Sequence, residues 1–325
     1  MRPTLFFQPI LLFLAYSSTT ALPNTLCHIG IQLPLNRLIG GRIDLRWVIV
    51  ACIIPDLPWV VLKSLVTLNL FDPYDLRLYC TAQASLFFCL FLSAGLACLA
   101  RQPGGVFALL GGNCLLHLLL DALQIKWGNG VHLFSPFSWT MFHVDVIWPE
   151  HPVTLAFTLL GFALLVFSWK RLTAAPLQIE WRSPLRASAG LFFLGLYLAG
   201  PLIYLDKLEG VNTYYLHTLR NKEERAGKSI EFDRVHYHAG QQTLKTFAGE
   251  LITVSGNQPE QSGRVSFRGR FVTPTTVDGE SFHYHRDSRD LASFIGLFMA
   301  CTLLLHSLLL SHFQARKNKQ GPYDV

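Results

Sequence analysis

Residues 111–151 read GGNCLLHLLLDALQIKWGNGVHLFSPFSWTMFHVDVIWPEH, and the reading of the whole chain turns on them. The first half is apolar except for His117 and Asp121, four residues apart. That spacing puts both on one face of a helix. An ionisable pair inside an apolar helix is costly unless it meets a partner, a cavity or a metal. The second half is an aromatic loop carrying His132, His143, Asp145, Glu150 and His151.

The surrounding chain is too apolar for an ordinary soluble domain: 325 residues, 51% hydrophobic and 15% charged. Apolar runs near bilayer length fall at about 47–71, 78–100, 105–125, 153–169, 188–205 and 291–312. These predict a mainly α, polytopic membrane bundle. Residues 1–22 read as a signal peptide or a first transmembrane helix. Residues 25–39, interrupted by Pro34, read as a partly inserted helix. The seven cysteines avoid the polar region and give no disulfide framework, so they are expected as small buried thiols.

Residues 23–205 are then a membrane-embedded helical domain, 206–290 a polar insertion, and 291–325 a last span with a basic tail. In the insertion, SIEFDRVHYHAG, TLKTFAGELITVSG, GRVSFRGRFVTP and ESFHYHR alternate apolar and polar residues between turn signals. They predict a small β-rich domain, barrel or sandwich, with an OB-like arrangement as one form. Its twelve basic and twelve acidic residues cancel, which argues against nucleic acid as a partner.

The short loops fix an expected orientation. Arg2, Arg37, Arg42, Arg46, Arg101, Lys170, Arg171, Arg182, Arg186, Arg316, Lys317 and Lys319 fall on one side, against Arg77 and Lys126 on the other. The positive-inside rule makes the first side cytoplasmic and places loop 126–152 and the 206–290 domain outside.

Asp56 stands in IIPDLPWVV, between Pro55 and Pro58, in the middle of a span. The prolines break the helical hydrogen-bond ladder, which at membrane depth is tolerated where the backbone is buried or lines a cavity. Asp56 is therefore a site candidate, against the plainer reading of a paired structural carboxylate. His28 alone reads as an interfacial histidine. Taken together, His28, Asp56, His117 and Asp121 supply two imidazoles and two carboxylates, a set suited to zinc, with manganese as the other choice, and open to water. His132, His143, Asp145 and His151 lie just beyond Asp121 and are expected to complete the coordination or serve as general base. The competing reading makes them, with Trp127, Trp139 and Trp148, an interfacial belt. His236-Tyr-His238 and His283-Tyr-His285 each put two imidazoles on one strand face, either as solvated side chains or, with the strands adjacent, as a four-histidine site.

In order and spacing, TLCHIGIQLPLNRLIGG, IVACIIPDLPWVV and LLHLLLDALQIKWGNGVHLFSPFS resemble the YdjM-like family of bacterial inner-membrane, metal-dependent hydrolases, itself distantly similar to zinc phospholipase C and P1 nuclease. The resemblance covers about 25–170. It implies metal-ligand roles for His28, Asp56, His117 and Asp121, with Gly128, Pro136 and Ser138 shaping the loop, and since VDVIWPEHP also resembles the family's continuation after Pro-Phe-Ser, it makes Asp145 the preferred extra candidate. One departure stands out: where members carry an HRGxTHS-type motif, this chain has DLRLYCTAQASLFF, with Ser85 in the serine place, no histidine, and Asp75, Arg77 and Gln83 as the polar residues left to substitute.

The expectation is a membrane-bound hydrolase of a phosphoester or ester bond in a lipid or envelope component, using metal-activated water. His28, Asp56, His117 and Asp121 would hold the metal, and Asp121, Asp145 and His143 would act in catalysis. The alternative is a non-catalytic envelope protein that has lost the hydrolase site and binds a protein partner through 206–290. A third reading, a transporter with Asp56 and His117 as proton relay, gains nothing from internal repeats, which the sequence lacks.

Overall fold

The computed structural model describes residues 24–39, 44–174, 177, 179, 183–286 and 288–317. The expected signal peptide or first helix lies outside the described residues, as does the end of the basic tail.

Helix α1, Thr25–Ile39, starts at Asn24, whose side chain accepts from the Cys27 amide at 3.2 Å, and runs on through Pro34. Helix α2, Leu45–Ile53, is capped by Asp44. A single 3₁₀ turn, Ile54–Asp56, joins it to α3, Leu57–Leu68. Pro55 lacks the amide that would reach the Ala51 carbonyl, and the Cys114 thiol points at that oxygen instead, at 3.9 Å. Helices α4, Pro73–Gln83, and α5, Leu86–Cys98, meet at a 66° bend. Next come α6, Pro103–Ala122, α7, Pro152–Thr173, and α8, Pro184–Ala199, which continues through a 3₁₀ turn into α9, Leu205–Val211. Short α10, Leu216–Arg220, leads into the barrel, and α11, Ser288–Lys317, follows it.

Five of these stretches are long and apolar enough to cross a membrane: 45–68, 103–122, 152–173, 184–211 and 289–310. The bent α4–α5 pair makes a sixth if it counts as one span. The helices fall where the hydropathy places its runs, except that the run at 78–100 is split by the bend.

Helices α1 and α7 cross with their backbones in contact. A methyl group on Gly30 would fall on the Phe157 carbonyl, and one on Gly161 on the Leu26 carbonyl. Small residues at a crossing let two helices approach this closely. Leu26, Ile29, Leu33, Val48, Ile49 and Leu165 fill the apolar core around that crossing. The packing fixes the rotation of α1, so the opposite face, with His28, Gln32 and Asn36, turns toward α6.

The insertion is a closed five-stranded barrel: β1 Ser229–His238, β2 Thr243–Lys245, β3 Leu251–Gly256, β4 Gly263–Thr273 and β5 Thr276–Tyr284, in the order β1-β2-β3-β5-β4. Strands β3 and β5 are parallel and the other pairs antiparallel. Alternating residues point inward, so Ile230, Phe232, Tyr237, Val265, Phe267 and Phe271 form its core. A register shift between Phe232 and Val235, with Arg234 at φ 55°, breaks the alternation in β1. The barrel sits on the helices. The Arg77 guanidinium of α4 stacks on Tyr215 and Phe247, and the Gly128 amide donates to Glu231 Oε2 at 2.7 Å.

Candidate metal centre

Three separate helical segments deliver the central cluster. His28 comes from the first turn of α1, Asp56 from the turn that breaks α2 from α3, and His117 and Asp121 from one face of α6. The imidazoles of His28 and His117 stack with 3.6 Å between centroids and 5° between planes. His117 Nε2 lies 3.2 Å from Asp56 Oδ1 and 3.8 Å from Asp121 Oδ2, and His28 Nε2 lies 3.5 Å from Asp121 Oδ1. His28, Asp56 and His117 are buried, and Asp56 Oδ2 makes no hydrogen bond.

These separations bear directly on a metal. A tetrahedral zinc ion with ligand bonds near 2.0–2.1 Å has ligand atoms about 3.3 Å apart. The observed 3.2–3.8 Å bracket that spacing, and the longest, between His117 and Asp121, is beyond hydrogen-bond distance. Nε2 of His28, Nε2 of His117 and an Asp121 oxygen converge within 4.8 Å of one another, with Asp56 adjoining. The donor set is of the nitrogen-and-carboxylate kind that zinc takes, and a tilt of the stacked rings, whose planes lie 5° apart, would bring both Nε2 lone pairs onto one divalent ion. Both Nδ1 atoms lack a hydrogen-bond partner. Stacking and helix packing, rather than a hydrogen bond at the back of each ring, hold the imidazoles in place.

Lys126 closes the side toward the loop. Its ammonium lies 3.2 Å from Asp121 Oδ1, and Gln124, held by Arg289, donates to the same oxygen at 3.3 Å. Beside them Asp121, Lys126, Asn129 and His132 help line a cavity of about 40 Å³, large enough for at least one water. The loop returns over α6 because its amides satisfy the last carbonyls of that helix: Val144 N donates to Ala122 O at 2.7 Å and Val146 N to Leu123 O at 2.9 Å. Gly128 needs to be glycine, since its φ is 66° and a side chain would strike the Glu231 carbonyl.

The loop candidates separate. His143 and Asp145 pair with each other at 2.8 Å in a second cavity of about 140 Å³, which Lys126, Asn129, Glu231 and Arg268 also line. His132 is buried beside Trp139 and borders the small cavity; burial pushes its pKa down to about 4. His151 caps α7, accepting from the Val153 amide at 3.3 Å. Ser138 bonds Thr140, and Pro136 follows a cis peptide bond. Cys27 and Cys114 are buried free thiols outside the ligand group.

The polar residues left where the resemblance has its histidines are engaged elsewhere. Asp75 pairs with Arg220, Gln83 donates to Tyr79 and to the Tyr197 carbonyl, Arg77 stacks under the barrel, and Ser85 is sealed in the core.

Four residues escaped the sequence reading. Gln32, Asn36 and Asn113 extend the central pairs into two facing stripes, 28-32-36 and 113-117-121. Asn36 Nδ2 donates to Asn113 Oδ1 at 2.8 Å and Asn113 Nδ2 to Asn36 Oδ1 at 3.2 Å, while Gln32 takes the Cys52 thiol at 3.1 Å. The repeated four-residue spacing was the available signal. Lys126 carried none beyond its nearness to Asp121.

The paired histidines of the barrel do not form one site, because β4 lies between β1 and β5. His283 and His285 are instead turned against Glu150 of the loop.

Fold and site together define a class: a protein of long apolar helices with a buried histidine–aspartate cluster beneath a closed β-barrel. Comparison with family models, curated proteins and solved structures returns no match to the chain.

Proposed function

We propose that this is an integral membrane protein whose His28, Asp56, His117 and Asp121 hold a divalent ion, zinc first and manganese second, and that it hydrolyses a phosphoester or ester bond in a lipid or envelope component. The observation that carries the reading is the convergence of His28, His117 and Asp121 from two helices at the spacing of a coordination shell, with Asp56 adjoining at His117. The hydrolase class, the substrate and the bacterial inner-membrane location follow from the resemblance of residues 25–170 to the YdjM-like membrane hydrolases, and the orientation with the loop and barrel outside follows from the positive-inside count.

A bound ion would supply Lewis-acid activation of water and of the scissile oxygen. The chain's own residues do the rest. Asp121 is shared between His28, His117 and Lys126, so it fixes both rings and the ammonium relative to one another. Lys126 offers a cation to an anionic ester at the outer mouth. Asp145 holds His143 by Nδ1, which leaves Nε2 to take a proton in the adjoining cavity.

The test is elemental analysis of the detergent-solubilised protein beside its Asp56→Ala and His117→Ala variants, followed by turnover of phosphoester and lipid substrates. The reading expects about one equivalent at this centre in the parent, its loss in both variants, and hydrolysis that follows the metal. Metal content undiminished from the parent in both variants, or a loaded protein inert toward every ester, sinks it.

The second reading is non-catalytic partner binding, and it draws on two observations: Asp75, Arg77, Gln83 and Ser85 add no ligand to the centre, and the barrel has the strand order of an OB architecture, a fold used for binding. Under it, deleting 206–290 gives the whole loss-of-function phenotype and Asp56→Ala gives none.

A further inference from the structure

The barrel meets the helical domain at a second cluster. Register pairs Ser266 of β4 with His283 of β5, so their side chains share a face, and His285 follows two residues later on that same side. This outer face is covered by the loop that ends at α7. Trp148 stacks on His283 with 3.7 Å between centroids and 7° between planes, and Glu150 reaches both imidazoles.

We propose that Glu150, His283 and His285 form a second divalent-metal site, of zinc type, that clamps the barrel to the helical domain. His285 Nδ1 lies 2.8 Å from Glu150 Oε1 and His283 Nε2 lies 3.6 Å from Glu150 Oε2, and the three ligand atoms fall within 4.8 Å of one another. Glu150 Oε2 and His283 Nε2 are buried, face each other beyond hydrogen-bond distance and have no hydrogen-bond partner. Two histidines and one carboxylate are a common zinc donor set. Behind His285 stands the outer support that ligating histidines have: its Nε2 meets Ser266 Oγ at 2.8 Å, and Ser266 in turn bonds Asp233 at 3.3 Å.

Ser266, His285 and Glu150 also have the bonding order of a nucleophile relay. That role fails on access, because Ser266 is fully buried and its hydroxyl already accepts from the Arg234 amide and meets Asp233. Arg234 sits 3.0 Å from Glu150 Oε1, but it also reaches Asp290 at 3.4 Å, and Glu150 Oε2 stays clear of it. Because the ligands come from two units, Glu150 from the loop before α7 and His283 and His285 from the end of β5 and the residue just past it, an ion there ties barrel to bundle.

The experiment uses full-length protein in detergent carrying His117→Ala, which removes the membrane centre and so makes this test independent of the reading above. Zinc content and the thermal midpoint with and without added zinc are measured in this background and after adding His283→Ala, or His283→Gln if the alanine variant does not fold. The proposal expects about one equivalent and a raised midpoint in the background, with loss of both on changing His283. Ser266→Ala should retain the site with zinc affinity weakened about 10–100-fold. No zinc in the background, or zinc that survives the His283 change, overturns it and leaves an ionic joint without metal.

Discussion

His28 and His117 stack face to face, 3.6 Å between centroids, from helices far apart in the chain. Two parallel imidazoles bring their Nε2 atoms to the same carboxylate, Asp121, and that places the centre at the α1–α6 interface rather than on either helix.

Replacing either ring with phenylalanine keeps the stacking surface and removes the donor. His28→Phe is expected to insert and fold as the parent does, by size-exclusion profile and circular dichroism, while bound metal at this centre drops to zero by elemental analysis; His117→Phe should lose the metal too, with a lowered thermal midpoint because it strips the buried Asp56 of its partner. Full metal occupancy in His28→Phe would exclude α1 from the centre.

Gly161→Ala tests the crossing that rotates α1. The added methyl group meets the Leu26 carbonyl, a backbone atom that yields only if the helices part. The expected cost is about 1–3 kcal/mol, seen as a lowered thermal midpoint together with weakened metal retention. Gly195→Ala, at a position with open space around it, serves as the control.

Lys126→Met separates substrate recruitment from metal binding. Lys126 pairs with Asp121 but donates no electron pair to a metal while protonated. Metal content should stay at the parent level, and KM for an anionic ester should rise more than kcat falls. Loss of the metal instead would make Lys126 a structural partner of Asp121.

Acid should loosen the outer part in two stages. Burial depresses His132 from about 6.5 to about 4, so the unfolded chain binds a proton that the folded one refuses, and stability falls as pH drops through that window. Glu250 follows. Burial alone would raise its pKa, but Arg225 at 2.8 Å and Lys222 outweigh burial and hold it low, so its contribution, present above the ordinary carboxylate pKa, is lost as pH falls through the depressed value. Urea midpoints measured against pH should lose the upper stage in His132→Gln and the lower one in Glu250→Gln.

Glu250→Ala leaves the Arg225 guanidinium, fully buried, with no anion, only the Thr218, Leu219 and Pro274 carbonyls and the Phe271 ring. The expected destabilisation is about 3 kcal/mol, the low end for a buried pair robbed of one partner, because Glu250 is partly exposed. Limited proteolysis of the barrel should report it, with the helices unaffected.

The sequence by itself determined the elements. Apolar runs near bilayer length marked the helices, the two-residue alternation marked strands in 206–290, Pro55 marked the break beside Asp56, and the four-residue spacing of His117 and Asp121 marked one helix face. All of these are local periods, set by backbone geometry within one or two turns, and so they are written in consecutive residues. The tertiary structure alone decided which faces meet. The glycine crossing of α1 and α7 turned His28 toward His117, strand order put β4 between the two histidine pairs, and the loop pinned on α6 brought Glu150 to His283 and His285. Those pairings depend on packing and register between segments far apart, for which a single sequence carries no period to read.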